Sequence, residues 1–490
     1  MKLLIRIGKL MMVTLVTGMC TFVSGEGIFA DSTIEPVSVA GGNGHGVAAW
    51  SDGTVTGWGY NKHGQVGDGT SIDQYIPKVI AGLSDIVKVA AARDTSFALS
   101  KEGEVWAWGD NYSRYVYGDV ILPYQKRELP KKMEGLKKVT SLDTNGFAGV
   151  AVHSDGTATL WYPTYDPVEP MTLGVKYVPL KGIANASSAV ILDYTVLIQD
   201  RSGVVSSLSI YNTFYGRYRS ESEIPVVQPV TSSISEIAAS GRDAFLLRKK
   251  GTIVRWNEES KKVAAVSGLA GISNLQTGYK RLYALKSNGT IWQWNYNTGQ
   301  VVKPFQVKDL TGITDLWGST GQVAFALRKD GRLMAWGDGY YAGMASGSGT
   351  LTTDKTLKTV YVQPSLSWTI NNQSVSYFGT SSIVDGKLYV PFTSVFKALA
   401  IQVTRGEIES DTQHKGRTFS VWTFAYGGTT LVINASNPTE LFVNGKRSDQ
   451  IVNIPSMSNT TMFPLEMICE TLGIELQWNK TTGEVVFGGA

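Results

Sequence analysis

Cysteine is scarce in this chain of 490 residues, which contains only Cys20 and Cys469. Cys20 lies in an apolar N-terminal run that we expect to be removed from the mature protein. The mature chain would then keep one cysteine and could form no intramolecular disulfide. Its stability must therefore come from packing.

An excess of charge of one sign is also missing. The chain has 45 Lys+Arg against 41 Asp+Glu, a formal net charge of +4. Proteins that bind nucleic acid usually carry a basic stripe or patch, which so small an excess does not provide. We therefore expect no nucleic-acid partner. Beyond the N-terminus no apolar run is long enough to cross a bilayer, so we expect no transmembrane segment after signal cleavage.

Motifs for catalysis and metal binding are lacking as well. The four histidines, at positions 45, 63, 153 and 414, show no metal-ligand spacing. Ser394-x-x-Lys397 is similar to the nucleophile motif of penicillin-recognising enzymes, but the companion Ser-Asp-Asn and Lys-Thr-Gly motifs are missing. Cys469 takes a core position of a predicted helix, which favours a buried, inert thiol. We predict no catalytic residue, no metal and no cofactor.

The first thirty residues have the pattern of a secretory signal peptide. A positively charged stretch at 1–9 precedes an almost wholly apolar run at 10–23. Cleavage after Ala30 is preferred to cleavage after Gly25, and a lipoprotein anchor at Cys20 is a further alternative. The pattern predicts a protein that is secreted or associated with the cell envelope.

A short pattern recurs seven times between residues 37 and 363. In each copy a glycine follows a polar residue, with an apolar residue two positions later and, in six copies, a tryptophan five positions later. The glycines are Gly53, Gly103, Gly156, Gly203, Gly251, Gly289 and Gly331. The tryptophans are Trp58, Trp108, Trp161, Trp256, Trp294 and Trp336, with Leu208 in the fourth copy. Agreement at fixed offsets in seven copies indicates an internal repeat.

The repeat predicts short strands joined by tight turns. Asp52-Gly53, Asp155-Gly156, Asn288-Gly289 and Asp330-Gly331 favour two-residue hairpin turns, because glycine accepts a positive φ. A single hairpin is barely stable, so successive units must stack on one another. Seven units favour a seven-bladed β-propeller with the tryptophans between blades, and an open β-solenoid is the alternative.

A glycine-rich tail follows the first tryptophan. It reads Trp58-Gly59-Tyr60-Asn61 and then Gly64-Gln65-Val66-Gly67-Asp68-Gly69, with partial copies at Trp108-Gly109-Asp110-Asn111 and Trp336-Gly337-Asp338-Gly339. This tail resembles the signature of the regulator-of-chromosome-condensation repeat. The resemblance covers about residues 37–363 and implies a seven-bladed propeller. Repeats three to six lack the tail.

A different duplication occupies residues 366–490. Residues 390–401 parallel residues 463–474, and each copy places apolar residues at i, i+3, i+4 and i+7 after a proline. That spacing predicts one short helix per copy. Flanking strands complete a small duplicated α+β domain, so the predicted fold class is mainly β. Segments 385–391, 443–446 and 472–479 resemble the copper amine oxidase N-terminal domain, a stalk of exported Gram-positive bacterial proteins. The resemblance implies an accessory domain without copper.

Aromatic residues recur six to twelve positions after the repeat glycines, which predicts that they share one face of the propeller. The predicted binding residues are Tyr60, Tyr112, Tyr115, Tyr165, Tyr211, Phe214, Tyr215, Arg217, Tyr296, Tyr340 and Tyr341. Tyrosine and arginine are enriched in recognition surfaces. The alternative is that these tyrosines pack between blades.

The leading hypothesis is an exported, non-catalytic binding or scaffold protein. Its propeller face would engage a protein or a polysaccharide at the cell envelope. Two alternatives remain open. One is a secreted glycan hydrolase or lyase whose two carboxylates are brought together by the fold. The other, which the resemblance permits, is an inhibitor of a secreted enzyme such as a β-lactamase.

Overall fold

A computed structural model describes residues 34–490 with several gaps. The gaps are 111–125, 166–172, 211–227, 298–299, 302, 322, 338–357, 363–365, 372, 376–380, 385, 392–393, 410–417, 435–439, 451, 453–455, 458–459, 481–482 and 489–490. The predicted signal peptide lies outside the described residues.

Seven antiparallel sheets, the blades, follow one another along the chain, and their strands lie side by side in sequence order. Blades one and two comprise β1 Pro36–Gly41, β2 His45–Trp50, β3 Val55–Gly59, β4 Gln74–Val79, β5 Ile86–Ala92, β6 Thr95–Ser100, β7 Val105–Asp110 and β8 Lys126–Lys132. Blades three and four comprise β9 Val139–Thr144, β10 Gly149–His153, β11 Ala158–Tyr165, β12 Leu173–Pro179, β13 Ala186–Ile191, β14 Thr195–Asp200, β15 Val205–Ser209 and β16 Gln228–Thr231. Blades five to seven comprise β17 Ile234–Ser240, β18 Asp243–Arg248, β19 Ile253–Asn257, β20 Val263–Val266, β21 Ile272–Gly278, β22 Arg281–Lys286, β23 Ile291–Asn297, β24 Gln300–Val301, β25 Phe305–Gln306, β26 Ile313–Trp317, β27 Val323–Arg328, β28 Leu333–Gly337 and β29 Lys358–Tyr361.

The seven blades form a closed ring. The first strand of every blade contacts the first strand of the next blade, and β26 and β27 of the last blade contact β1. At this closure Gly41 pairs with Ser319, and the N–H of Thr320 donates to the carbonyl oxygen of Gly41 at 2.9 Å. The predicted seven-bladed propeller is confirmed, and the open solenoid is wrong.

The repeat glycines form the turns between the second and third strands. Gly53 has a φ of +82°, and an added Cβ would lie 2.9 Å from the backbone of Asp85 at the start of the next blade. Asp52 accepts the N–H of Thr54 at 2.9 Å, which fixes the same turn. Glycine is therefore required both for the turn and for the close approach of the next blade.

The repeat tryptophans lie between blades. All six are buried. Three of them contact an aromatic ring on the second strand of the preceding blade. The centroid distances are 5.8 Å for Trp58 and Phe325, 5.8 Å for Trp161 and Phe97, and 5.4 Å for Trp336 and Tyr283. These ring pairs join adjacent blades and close the last blade onto the first.

The described residues of the C-terminal part form three sheets and two helices. Its strands are β30 Ser367–Ile370, β31 Gln373–Val375, β32 Ser382–Val384, β33 Lys387–Pro391, β34 Gln402–Glu409, β35 Thr418–Tyr426, β36 Thr429–Asn434, β37 Leu441–Val443, β38 Lys446–Ser448, β39 Ser456–Met457, β40 Thr460–Pro464, β41 Leu476–Trp478 and β42 Glu484–Phe487. Its helices are α1 Ser394–Ala398 and α2 Leu465–Leu472.

The duplication is visible in the pairing of this domain. Strands β33 and β40 pair antiparallel, and Val390 lies opposite Phe463, its counterpart in the other copy. Each of these strands ends at a proline just before its helix region. Cys469 on α2 is fully buried, and burial raises the pKa of its thiol to about 12. The small duplicated α+β domain is thus confirmed.

The C-terminal domain contacts the first blade. Ile76 on the outermost strand β4 joins the hydrophobic core of the C-terminal domain. Its neighbour Tyr75 packs with Tyr389 and Met462. All four side chains are buried. An apolar contact therefore joins the C-terminal domain to blade one, away from the ring axis.

Candidate functional site

One end of the propeller carries two sets of loops, and we call this end the loop face. The loops after the first and third strands meet there, because those strands run in the same direction. The N–H of Tyr60 donates to Gly44 O, that of Asp110 to Asp94 O, and that of Glu258 to Arg242 O, each at 2.8 Å. Backbone hydrogen bonds thus hold the two loops of a blade together.

Few of the predicted binding residues fall in the described part of the chain. Tyr60 lies on the loop face, and its ring centroid is 5.9 Å from that of His63. Tyr165 ends β11 and Tyr296 lies near the end of β23, but their side chains are outside the described residues. Tyr112, Tyr115, Tyr211, Phe214, Tyr215, Arg217, Tyr340 and Tyr341 also lie outside them. That these aromatic residues share one face of the propeller therefore stays a prediction.

The glycine-rich tail of the first repeat is organised around the fully buried amide of Asn61. Its Nδ2 donates to Asp68 Oδ1 at 3.1 Å and to Thr70 O at 3.0 Å, and its Oδ1 accepts the N–H of Val66 at 2.9 Å. The backbone N–H of Asn61 donates to Asp73 Oδ1 at 2.9 Å. One asparagine thus cross-links the whole loop and makes its shape independent of a ligand.

The same loop joins the first blade to the second. The carbonyl oxygen of Gln65 accepts Trp108 Nε1 at 3.0 Å and Ser96 Oγ at 2.9 Å. Blades five and six lack this tail, and Trp294 Nε1 and Trp336 Nε1 in the blades that follow are buried without a partner among the described residues. The tail therefore supplies an acceptor for the tryptophan of the next blade.

The loops between the first and second strands place cationic and aromatic side chains around the axis of the loop face. We call this set the rim, and it consists of Arg93, Phe147, Tyr194, Arg242, Tyr279 and Lys280. Arg93 Cζ lies 3.7 Å from the ring centroid of Phe147, and Arg242 Cζ lies 5.6 Å from that of Tyr194. Lys280 Nζ lies 5.3 Å from the centroid of Tyr279, whose residue is 52% exposed. Such pairs combine contact area with charge, as recognition surfaces do.

Hydrogen bonds between blades fix the backbone of these loops. The N–H of Asn43 donates to Arg93 O at 2.6 Å, that of Asp193 to Gly241 O at 3.1 Å, and that of Tyr279 to Gly321 O at 2.9 Å. The rim is thus preorganised, which lowers the entropy that binding must remove.

Sequence reasoning missed the rim. Its members lie nine or ten positions before the repeat glycines, as Arg93 does before Gly103 and Tyr279 before Gly289. The residue type at this offset changes from blade to blade, so only the repeat register could have revealed the set.

Charged side chains also line the ring axis from the first strands. Burial raises the pKa of Asp143 to about 6 and that of Glu236 to about 7. Burial also raises the pKa of Asp315, whose negative charge contributes to the raised pKa of Glu236. Burial lowers the pKa of Lys88, and the nearby Asp143 carboxylate opposes that change. The axis therefore holds three acids and one base in a poorly solvated setting.

The axial acids bridge neighbouring blades. Asp143 accepts the N–H of Ile191 at 2.9 Å, and Glu236 accepts the N–H of Leu275 at 2.9 Å. Asp315 accepts Nδ2 of Asn274 at 2.8 Å. Each bond crosses from one blade to the next, so these carboxylates stabilise the ring.

No group of three His, Cys, Asp or Glu side chains in the described ranges is placed to hold a metal ion. Over the same part of the chain, no helix is long and apolar enough to span a membrane. His45 is buried with Nε2 2.8 Å from Ser96 Oγ, and burial lowers its pKa to about 3.

Comparisons with protein-family models give two descriptions. Residues 52–99 and 86–114 match the regulator of chromosome condensation (RCC1) repeat, and residues 369–487 match the copper amine oxidase N-terminal domain. The chain carries RCC1 repeats and a copper amine oxidase N-terminal domain. Both resemblances drawn from the sequence are confirmed.

Curated relatives share only part of this chain. It is 36% identical over 74 residues to the mitochondrial RCC1 domain-containing protein RUG3 of Arabidopsis thaliana, and 38% identical over 73 residues to the ultraviolet-B receptor UVR8 of the same plant. These segments cover 15% and 14% of this chain and 17% of each relative, so the chain matches about a sixth of the relatives' length.

Solved structures with a similar fold include Prp20p from Saccharomyces cerevisiae. It is 15% identical, with 64% of this chain and 87% of that chain covered and a TM-score of 0.49. A structure of Kap60 bound to yeast RCC1 (Prp20) gives 15% identity, coverage of 64% and 84%, and a TM-score of 0.48. RCC1 repeats joined to an accessory amine oxidase N-terminal domain suggest a binding or scaffold role.

Proposed function

We propose that the protein is exported and acts as a non-catalytic binding protein at the cell envelope, with the rim engaging a protein partner. The observation that carries the proposal is the rim itself, three cation–aromatic pairs held around the axis by backbone hydrogen bonds between blades. The N-terminal signal pattern and the accessory C-terminal domain support export and presentation at the envelope.

A binding experiment with the mature protein tests the rim. We expect that replacing Arg93, Arg242 and Tyr279 together with alanine lowers capture of partners from the producing organism's envelope fraction by about tenfold or more, because hot-spot residues of these types each contribute about 1–2 kcal/mol or more. Capture is measured by pull-down followed by quantitative mass spectrometry. Thermal unfolding of the variant should stay close to that of the wild type.

The matched control removes three charges from the opposite face of the ring. It replaces the exposed lysines Lys101, Lys250 and Lys329, which lie in turns between second and third strands. We expect this variant to capture the same partners as the wild type. If the rim variant captures them equally well, or if only polysaccharide is retained, the proposed protein-binding role is wrong. N-terminal sequencing of protein recovered outside the cell tests export separately.

A further inference from the structure

The C-terminal domain has one sheet edge that is much longer than the others. Strand β34 has eight residues, lies at the end of its sheet and pairs only with β35 among the described strands. The other sheet edges in the described part of this domain have two or three residues each, and they are β31, β32, β38, β39 and β41. A long edge presents a row of N–H and C=O groups to another strand, which short edges do not.

The middle of β34 is exposed to solvent. Thr404, Arg405, Gly406 and Glu407 are all exposed, and a Cβ added at Gly406 would meet no described atom within 4 Å. The strand contains no proline, so each of its residues keeps a backbone N–H. Glycine inside a strand often marks a place where another backbone approaches closely. This edge can therefore add a further strand.

Two charges of opposite sign lie on one face of this edge. Arg405 and Glu407 are two residues apart, so their side chains leave the same face of the sheet. Arg405 lies opposite Trp422 on β35, with its Cζ 5.7 Å from the ring centroid. Neither charged side chain forms an ion pair within the described part of the chain. Both charges can therefore pair with charges on an added strand.

An antiparallel copy of the same strand matches these charges. When two β34 strands pair around a two-fold axis at Gly406, Arg405 of each copy lies opposite Glu407 of the other. Opposite charges in directly opposed positions stabilise a pair of strands, and like charges destabilise it. We propose that β34 is a self-pairing edge, through which two copies of the protein join their five-stranded sheets into one continuous sheet.

This inference goes beyond the proposed function, because it concerns a different surface of the protein. A dimer carries two rims, so a partner with two binding sites would be held more tightly than by one copy. Pairing of single strands gives a small interface, for which we expect a Kd on the order of 10 μM. Sedimentation velocity of the full-length mature protein should then show monomer at about 1 μM and mostly dimer at about 200 μM.

Two single substitutions and their mixture test the register. Arg405→Glu places acids opposite each other and Glu407→Arg places bases opposite each other, so each should weaken self-association by about tenfold or more. In an equimolar mixture of the two variants every acid again lies opposite a base. We expect the mixture, with one variant fluorescently labelled, to form heterodimers at about the wild-type affinity. Mixing would not reverse a loss that came from damage to either strand.

The other edge of the same sheet supplies the control. Arg447 is an exposed residue of β38, and Arg447→Glu makes the same change of charge as Arg405→Glu. We expect its self-association to stay within about twofold of the wild type. Should Arg405→Glu fail to fold, Glu407→Arg still tests the pairing. Its weakened association should recover in part as added salt screens the opposed bases.

Several results would overturn the inference. One is a wild-type protein that stays monomeric at the highest concentration, which would leave the edge free or available to another protein. The others are single variants that associate like the wild type, a mixture that associates no better than either variant, and equal weakening by Arg447→Glu. None of them touches capture by the rim, because the envelope experiment leaves β34 unchanged. The failure of one proposal is therefore distinguishable from the failure of the other.

Discussion

Replacing Trp108 with alanine should lower the free energy of unfolding by about 3–5 kcal/mol, the usual effect of removing a large buried aromatic side chain. Trp108 is 1% exposed and packs in the core between the first two blades. Its Nε1 donates to Gln65 O, and Gly67 approaches it so closely that an added Cβ would lie 2.5 Å away. Truncation therefore leaves a cavity and removes one of the two hydrogen bonds that the carbonyl oxygen of Gln65 accepts. Urea unfolding followed by fluorescence measures the change.

Trp106 provides the matched control for this prediction. It lies on the same strand and faces the same core, but it is only partly buried. Lys132 Nζ lies 6.0 Å from its ring centroid, near the surface. We expect Trp106→Ala to lower the unfolding free energy by about 1–2 kcal/mol, since less apolar surface is lost. If the two substitutions lowered the unfolding free energy equally, the burial of Trp108 between blades would add no stability beyond that of the partly buried Trp106.

The fold could be predicted because its main determinants repeat along the chain. Gly53 and its counterparts are needed for a positive φ and for contact with the next blade, and Trp58 and its counterparts fill the space between blades. The glycine recurs in all seven repeats and the tryptophan in six, with Leu208 in the fourth, so both leave a periodic pattern in the sequence. The C-terminal helices were predictable for a similar reason, since the 73-residue duplication repeats their apolar spacing.

The candidate site could be predicted only in part, because the residues at the rim positions differ from one blade to the next. The rim holds Arg93 in one blade, Phe147 in the next and Tyr194 in the one after that, so no single residue type marks these positions in the sequence. The hydrogen bond between Glu258 and the N–H of Tyr194 depends on how the loop after β19 folds against the fourth blade, which no local pattern records. The contact of Ile76 with the C-terminal domain likewise exists only after both domains have folded.

Glu236 should make the ring less stable as the pH rises. Burial raises its pKa from 4.5 to about 7 in the folded protein, so the folded state binds a proton that the unfolded state has already released at intermediate pH. The stability associated with protonated Glu236 is fully present below about pH 4.5 and is lost as the pH rises through about 7. We expect Glu236→Gln to become more stable relative to the wild type by about 2–3 kcal/mol between about pH 5 and pH 8.

The comparison of the two proteins at each pH isolates this one group. His45 acts in the opposite sense: burial lowers its pKa, so the folded protein loses stability as the pH falls below about 6.5. This contribution is the same in the wild type and the variant, so it cancels in the difference between them. At about pH 5 the protonated Glu236 and the glutamine are both neutral and each keeps one carbonyl acceptor, so the two proteins should differ least in stability there. Glu102→Gln, an exposed change on the turn after β6, controls for the loss of one negative charge. A difference between wild type and Glu236→Gln that stays constant with pH would mean that the axial carboxylate is solvated, and the blades would then be joined there by water rather than by a buried acid.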